Sequence, residues 1–204
     1  MMSPFIVFEG IDGCGKGTQA KHLVQNLKSL GKDPLLTVEP TRGPIGRMIR
    51  EHMSSPYMDD KTLALMFAGD RIEHIHKDII PALESGKIVI SDRYVYSSIA
   101  YQGQMVDIDW VGQINSYAEK PDLVFILDVD PRTARRRMED RDDDFEYLEE
   151  DPDFQEGCRR TFNGFPKGKH LPESLKTNFV VINGEKGESE ISDIVWDHVM
   201  DLLN

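Results

Sequence analysis

The chain of 204 residues reads as an α/β domain, a five-stranded parallel sheet with helices on both faces, and three observations predict it. Apolar, β-rich runs alternate with stretches of helical periodicity along the whole sequence. The spacing Gly10-x4-Gly15-Lys16 matches a loop that cradles polyphosphates. That loop lies between a strand-like run and a helical one. In this context successive backbone N–H groups and a helix N-terminus converge on one point, which suits a polyphosphate.

The elements follow in order. Phe5–Phe8 is the first strand. Ala20, Leu23, Val24, Leu27 and Leu30 recur at helical spacing and predict a helix over 16–30. Pro34–Val38 is the second strand, followed by helices over 44–54 and 60–85. Lys87–Ser91 is the third strand, with a helix over 107–119 after it. Leu123–Leu127 is the fourth, followed by helices over 131–140 and 153–163. Phe179–Ile182 is the fifth, and a helix over 188–203 closes the chain. Ligands of such a sheet bind at the carboxyl ends of its strands. With no internal repeat and no linker, one domain over 1–204 is expected. Asp140-Arg141-Asp142-Asp143-Asp144, with Glu149-Glu150-Asp151-Pro152, is too charged for a core. It reads as an exposed, mobile segment, and its place after the fourth strand suits a lid over about 140–153.

Hydrophobic content of 39% with 29% charged residues is that of a soluble globular protein. No apolar run approaches the ~20 residues that span a bilayer, and the start has no basic region, so neither a membrane span nor a signal peptide is expected. Two cysteines, one of them Cys14 inside the loop, make no disulfide framework. A reducing cytoplasm fits best. A net charge of −12 argues against a nucleic-acid partner. It also means that anionic nucleotides must be held by local cations, which cluster at Arg42, Arg47 and Arg50, at Arg71, at Arg93, and from Arg132 to Arg141.

The loop Gly10, Ile11, Asp12, Gly13, Cys14, Gly15, Lys16, Gly17 and Thr18 is the candidate donor-phosphate site. Asp92, at the end of the third strand, is placed to orient Mg²⁺ directly or through water, and Arg93 beside it offers a planar fork to a phosphate. Phe67 and Arg71 lie four apart on one helical face, so a base can stack on the ring while the guanidinium binds its edge. Ser98, Tyr101 and Gln102 share a helical face just after the aspartate–arginine pair.

Phe8-Glu9-Gly10-Ile11-Asp12-Gly13, Glu39-Pro40-Thr41, Phe67-Ala68-Gly69-Asp70-Arg71, Asp92-Arg93-Tyr94 and Ser97-Ser98-Ile99-Ala100-Tyr101-Gln102-Gly103 occur in the order found in thymidylate kinases. The resemblance spans residues 5 to about 140 and continues loosely to Ile182-Asn183-Gly184. It implies transfer of the γ-phosphoryl of ATP to dTMP, with Mg²⁺, by a cytoplasmic homodimer of nucleoside-monophosphate-kinase fold. It implies that Lys16 and the loop amides hold the ATP phosphates; since Gly17 offers no hydroxyl, Mg²⁺ is expected to be held through phosphates and Asp92, with Thr18 or water in place of the usual ligand. Asp12 contacts the sugar 3′-hydroxyl, Phe67 stacks on thymine, and Arg71 reaches its O4 edge. Glu39, Ser98 and Gln102 belong to the same acceptor site. Tyr101 crowds C2′ of the sugar, and Arg93 with Arg47 holds the acceptor phosphate.

Two departures stand out. Gly17 follows the loop lysine where a hydroxyl residue is usual, and the run Gly-Lys-Gly-Thr-Gln resembles adenylate kinases. The loop also carries no arginine, so the catalytic arginine is expected from the lid, at Arg141, with Arg137 flanking the adenine. An adenylate or UMP/CMP kinase is the first rival, favoured by that run and opposed by the phenylalanine–arginine helix and the Tyr-Gln-Gly segment. A GTP-dependent switch protein needs an Asn-Lys-x-Asp motif, and Ile182-Asn183-Gly184-Glu185 is not one. An inactive nucleotide-binding module is opposed by the completeness of the constellation.

Overall fold

The computed structural model describes residues 3–53, 58–140 and 151–203. Five parallel strands form one sheet in the order β2-β3-β1-β4-β5, with β1 Phe5–Glu9, β2 Pro34–Val38, β3 Ile88–Asp92, β4 Leu123–Asp128 and β5 Asn178–Asn183. Ile6 stands opposite both Ile90 and Leu123. The three central strands are buried on both faces almost throughout, which explains their unbroken apolar sequences. The edge strands β2 and β5 alternate and are partly exposed.

Right-handed crossovers then dictate the layers. Helix α1 Lys16–Ser29 packs with the closing helix over 188–203, which is Glu188–Leu203. The opposite face is covered by α3 Asp60–His74, α5 Val95–Tyr101 and α8 Pro152–Phe162, each touching the next. Helix α2 Pro44–His52 lies against α3, while α4 Ile80–Glu84, α6 Ile108–Ile114, α7 Pro131–Glu139 and the final α9 (Glu188–Leu203) complete the set.

Several elements differ from the sequence expectation. The helix expected over 60–85 is interrupted by a π-turn at Ile75–Ile79, where Ile80 N–H bonds back to Ile75 O. Pro81 explains it: a residue without an N–H cannot continue the regular ladder, and one wide turn absorbs the loss. The helix expected over 107–119 stops at Ile114, because the Asn115 side-chain amide takes the Val111 carbonyl at 2.9 Å. The third strand runs one residue further than expected, to Asp92, and Gln102 opens a 3₁₀ turn after α5.

Candidate active site

The loop after β1 and the loop after β3 meet at the switch point of the strand order, between the neighbouring strands β3 and β1, whose onward connections leave in opposite directions. Gly13 has φ +77°, and a Cβ there would lie 2.3 Å from Ala134 O of α7. The loop therefore has no room for a side chain at that position. Lys16 begins α1 and donates from Nζ to Ile11 O at 3.1 Å, with Asp12 Oδ1 at 3.5 Å. A cavity of about 270 Å³ is bounded by the loop from Asp12 to Thr18, Lys21, Asp92 and Arg93. Gly17 faces Asp92, and a Cβ at 17 would sit 2.7 Å from Asp92 Oδ2. The carboxylate thus crowds the space that the usual hydroxyl residue would need. Asp92 Oδ1 is buried and has no hydrogen-bond partner among the described residues. Burial raises its carboxyl pKa, and the nearby charges of Lys16 and Lys21 oppose that rise.

A second cavity, of about 340 Å³, joins Gly13, Cys14, Gly15, Thr18 and Gln19 to the end of α7 and to the turn between β5 and α9. Arg137 lines it from α7 with Asp140 just beyond that helix, Gly184 and Lys186 from the turn, and Glu188 from the start of α9. Arg137 Nη1 lies 3.5 Å from Cys14 O. Lys186 and Glu188 were invisible to sequence reasoning. The one signal for them was Gly184, whose Cβ would meet Val129 at 2.5 Å. Arg141 and most of the expected lid lie outside the described residues.

A third cavity, of about 220 Å³, opens between α3 and α5, and the structure brings together there Asp12, Glu39, Phe67, Arg71, Arg93, Ser98, Tyr101 and Gln102. Asp12 is its hub: Oδ2 accepts the Tyr101 hydroxyl at 2.8 Å, and Oδ1 accepts the Arg93 guanidinium. Arg93 has φ +68°, is anchored through N–H to Phe8 O at 3.0 Å, and lies over the Tyr101 ring with its carbon 5.3 Å from the centroid. Gln102 Oε1 is buried without a partner among the described residues.

Arg47 does not reach this cavity. Its guanidinium donates to Arg42 O at 2.9 Å, while Arg50, one turn on, lines the cavity and is held by the carbonyls of Pro40, Thr41 and Gly46. Sequence reasoning named Arg47, whereas the acceptors that orient Arg50 toward the cavity are backbone carbonyls with no signature in residue type. Asp70 was also missed. It accepts the backbone N–H and the hydroxyl of Thr41, each at 2.6 Å, and so fixes the loop after β2.

Glu9, fully buried at the end of β1, holds the β3–α5 turn from below. It accepts from Tyr94 N at 2.8 Å, Ser97 N at 3.1 Å and Ser97 Oγ at 2.6 Å. Burial pushes its carboxyl up from 4.5 to about 7, against the lowering effects of Ser97 and Arg93. A carboxyl with a raised folded-state pKa stabilises fully below about 4.5 and loses that contribution as pH rises through about 7. Glu9→Gln removes the titration. Across this window the variant should gain about 3 kcal/mol on the native protein, read as diverging thermal-unfolding curves. Parallel curves would remove Glu9 from the titrating groups.

The thymidylate kinase family model matches residues 8–194. A probable thymidylate kinase of Methanococcus maripaludis is 43% identical over 209 residues, covering 99% of this chain and 100% of that protein. Those of Pyrococcus abyssi and Thermococcus kodakarensis are 47% and 44% identical over 148 and 147 residues, covering 69% and 67% of this chain and 72% of each relative. Since the family match takes in the loop, both sides of the α3–α5 cavity and the turn after β5, the chain belongs to the thymidylate kinase family.

Proposed function

We propose that this thymidylate kinase holds dTMP in the α3–α5 cavity and ATP across the glycine loop. The γ-phosphoryl passes to an oxygen of the dTMP phosphate, yielding dTDP and ADP. The observation that carries the acceptor assignment is the polarity of the cavity wall. Arg71 can only donate, and Gln102 Oε1 is an acceptor without a partner among the described residues. Thymine offers the complement, a carbonyl at position 4 and an N–H at position 3. Phe67, half-buried on α3, gives the ring a surface to stack on.

The other roles follow from the same placement. Arg93 and Arg50, rather than Arg47, hold the acceptor phosphate. Asp12 accepts the 3′-hydroxyl on the same carboxylate that fixes the Tyr101 hydroxyl, and this sets the Tyr101 ring against C2′. Lys16 follows the charge on the migrating group, and the loop amides hold the remaining phosphate oxygens. Mg²⁺ fits the site: Asp92 has a buried oxygen with no partner among the described residues, Thr18 borders the same cavity, and this ion takes few protein oxygens when it also binds phosphates. When bound, it neutralises charge on the transferring phosphoryl. Arg137 flanks the adenine beside the turn after β5.

The cell compartment that suits two free cysteines, Cys14 and Cys158, is a reducing cytoplasm. No described helix is long and apolar enough to cross a membrane. A homodimer is supported by Met48, Leu65 and Ile72, large apolar side chains exposed on α2 and α3.

A coupled assay offering dTMP, dUMP, AMP and CMP separately tests the acceptor assignment. dTMP should turn over fastest, and preferential use of AMP would instead favour the adenylate-kinase reading suggested by Gly17. Tyr101→Ala should narrow the preference for deoxyribose over ribose, measured with dUMP and UMP. An unchanged sugar preference would remove Tyr101 from the sugar site.

A further inference from the structure

Arg71 is 1% exposed, and its guanidinium is restrained on all sides but one. Nε and Nη2 both donate to Glu39 Oε2, at 2.9 and 2.7 Å. The second Nη2 hydrogen goes to Ser98 Oγ at 2.9 Å, and Nη1 donates to Asn115 Oδ1. One ring face of Tyr94 lies 5.5 Å from the guanidinium carbon. Four of the five N–H groups are thus used by these contacts, leaving one on Nη1.

Two of the restraints are themselves oriented from behind. The Asn115 amide cannot turn over, since its Nδ2 donates to Val111 O at 2.9 Å. A flip would set oxygen against oxygen there and NH₂ against the guanidinium. Glu39 is fixed through its other oxygen, Oε1, which lies 3.0 Å from His74 Nδ1. A carboxylate can only accept, so Nδ1 carries a proton, while Nε2 pairs with the Thr37 hydroxyl at 2.6 Å. His74 and Asn115 approach from α3 and from the end of α6, and neither lines the cavity.

We propose that Asn115, and His74 acting through Glu39, are positioning residues that set base selectivity by locking Arg71 as a donor toward position 4 of the pyrimidine. The inference rests on the placement of dTMP given above. A guanidinium that can neither rotate nor recede meets a 4-carbonyl with a hydrogen bond. It meets the 4-amino group of cytosine with two facing donors, and a buried site of this kind rejects the wrong partner strongly. A loosened Arg71 loses affinity for the carbonyl and can withdraw from the amine. Both changes narrow the preference for dTMP over dCMP. Selection of dTMP over dUMP, which share the 4-carbonyl, is left unaltered.

The test compares kcat/KM for dTMP, dUMP and dCMP in Asn115→Leu, His74→Leu and His74→Asn, with Arg71→Lys as the reference. Asn115→Leu and His74→Leu should each reduce the ratio of dTMP to dCMP by about ten- to a hundredfold, the order of one lost hydrogen bond to a charged group. The loss should appear mainly in KM for dTMP, with KM for ATP and the dTMP-to-dUMP ratio unchanged. His74→Asn keeps an N–H near Nδ1 and should restore most of the selectivity. A general structural defect would depress all three substrates and raise KM for ATP as well. That outcome, or an unchanged ratio in folded variants, overturns the proposal. If Arg71→Lys itself leaves dTMP binding untouched, the fault lies with the placement of dTMP. If Arg71→Lys weakens dTMP while Asn115→Leu and the His74 pair do not, only the positioning roles fail. Should Asn115→Leu not fold, the contrast between Leu and Asn at 74 decides the matter.

Discussion

Lys16→Met is expected to lower kcat by about 10²–10³ while the protein stays folded, the usual loss when one preorganised contact to developing charge is removed. Nζ rests on Ile11 O at 3.1 Å and near Asp12 Oδ1 at 3.5 Å, contacts that keep the ammonium at the loop before any phosphate arrives. The stem is buried against the loop, with the residue 7% exposed. Methionine matches its volume and keeps that packing. Thermal unfolding should therefore move little, and affinity for ATP should fall less than kcat, because the loop amides still face the phosphates. Near-normal turnover in a folded Lys16→Met variant would refute the assignment of the loop as the donor-phosphate site.

The sequence was most legible where burial on both faces forces a simple pattern. Phe5-Ile6-Val7-Phe8 and Leu123-Val124-Phe125-Ile126-Leu127 can only be central strands, and both are. The glycine loop was legible for a similar reason: Gly10 and Gly13 stand where φ is positive and where α7 or β4 backbone approaches within 3 Å of an added Cβ. Residue type carries that constraint directly. What stayed hidden depends on partners distant in sequence. Asn115 reads as an ordinary polar helix end until Arg71, 44 positions earlier, is seen to donate to it. Glu9 reads as a polar interruption at the end of a strand until the amides of Tyr94 and Ser97 converge on it. The choice between Arg47 and Arg50 is of the same kind. Both lie in one helix of mixed exposure, and only the carbonyls of Pro40, Thr41 and Gly46 decide which guanidinium faces the α3–α5 cavity. Gly17 is an intermediate case. Its departure from the usual hydroxyl was plain in the sequence, whereas its crowding by Asp92 needed the fold.

Arg141→Ala is expected to reduce kcat by on the order of 10³ or more, the contribution of an arginine that reaches the migrating phosphoryl in the transition state. The loop itself leaves no alternative within reach. Gly13 is closed to any side chain by Ala134 O at 2.3 Å, and Cys14 is buried at 1% exposure. Arg93 is already committed to Asp12 and the α3–α5 cavity. The last turn of α7, by contrast, faces the cavity beside the glycine loop, with Arg137 at the Cys14 carbonyl and Asp140 in the cavity wall. Arg141 is the next residue in the chain. It lies outside the described residues, and its expected role rests on the sequence, where Asp142, Asp143 and Asp144 beside it carry charge that opposes bound phosphates. Binding and chemistry should then separate. The dissociation constants of ATP and dTMP should change only a few-fold, while kcat falls steeply. An analogue joining adenosine to thymidine through a phosphate chain should lose far more affinity than either nucleotide alone. Arg137→Ala provides the contrast, since a residue flanking adenine should raise KM for ATP and leave kcat largely intact. Should Arg141→Ala retain the native kcat while Arg137→Ala loses it, the catalytic guanidinium belongs to α7.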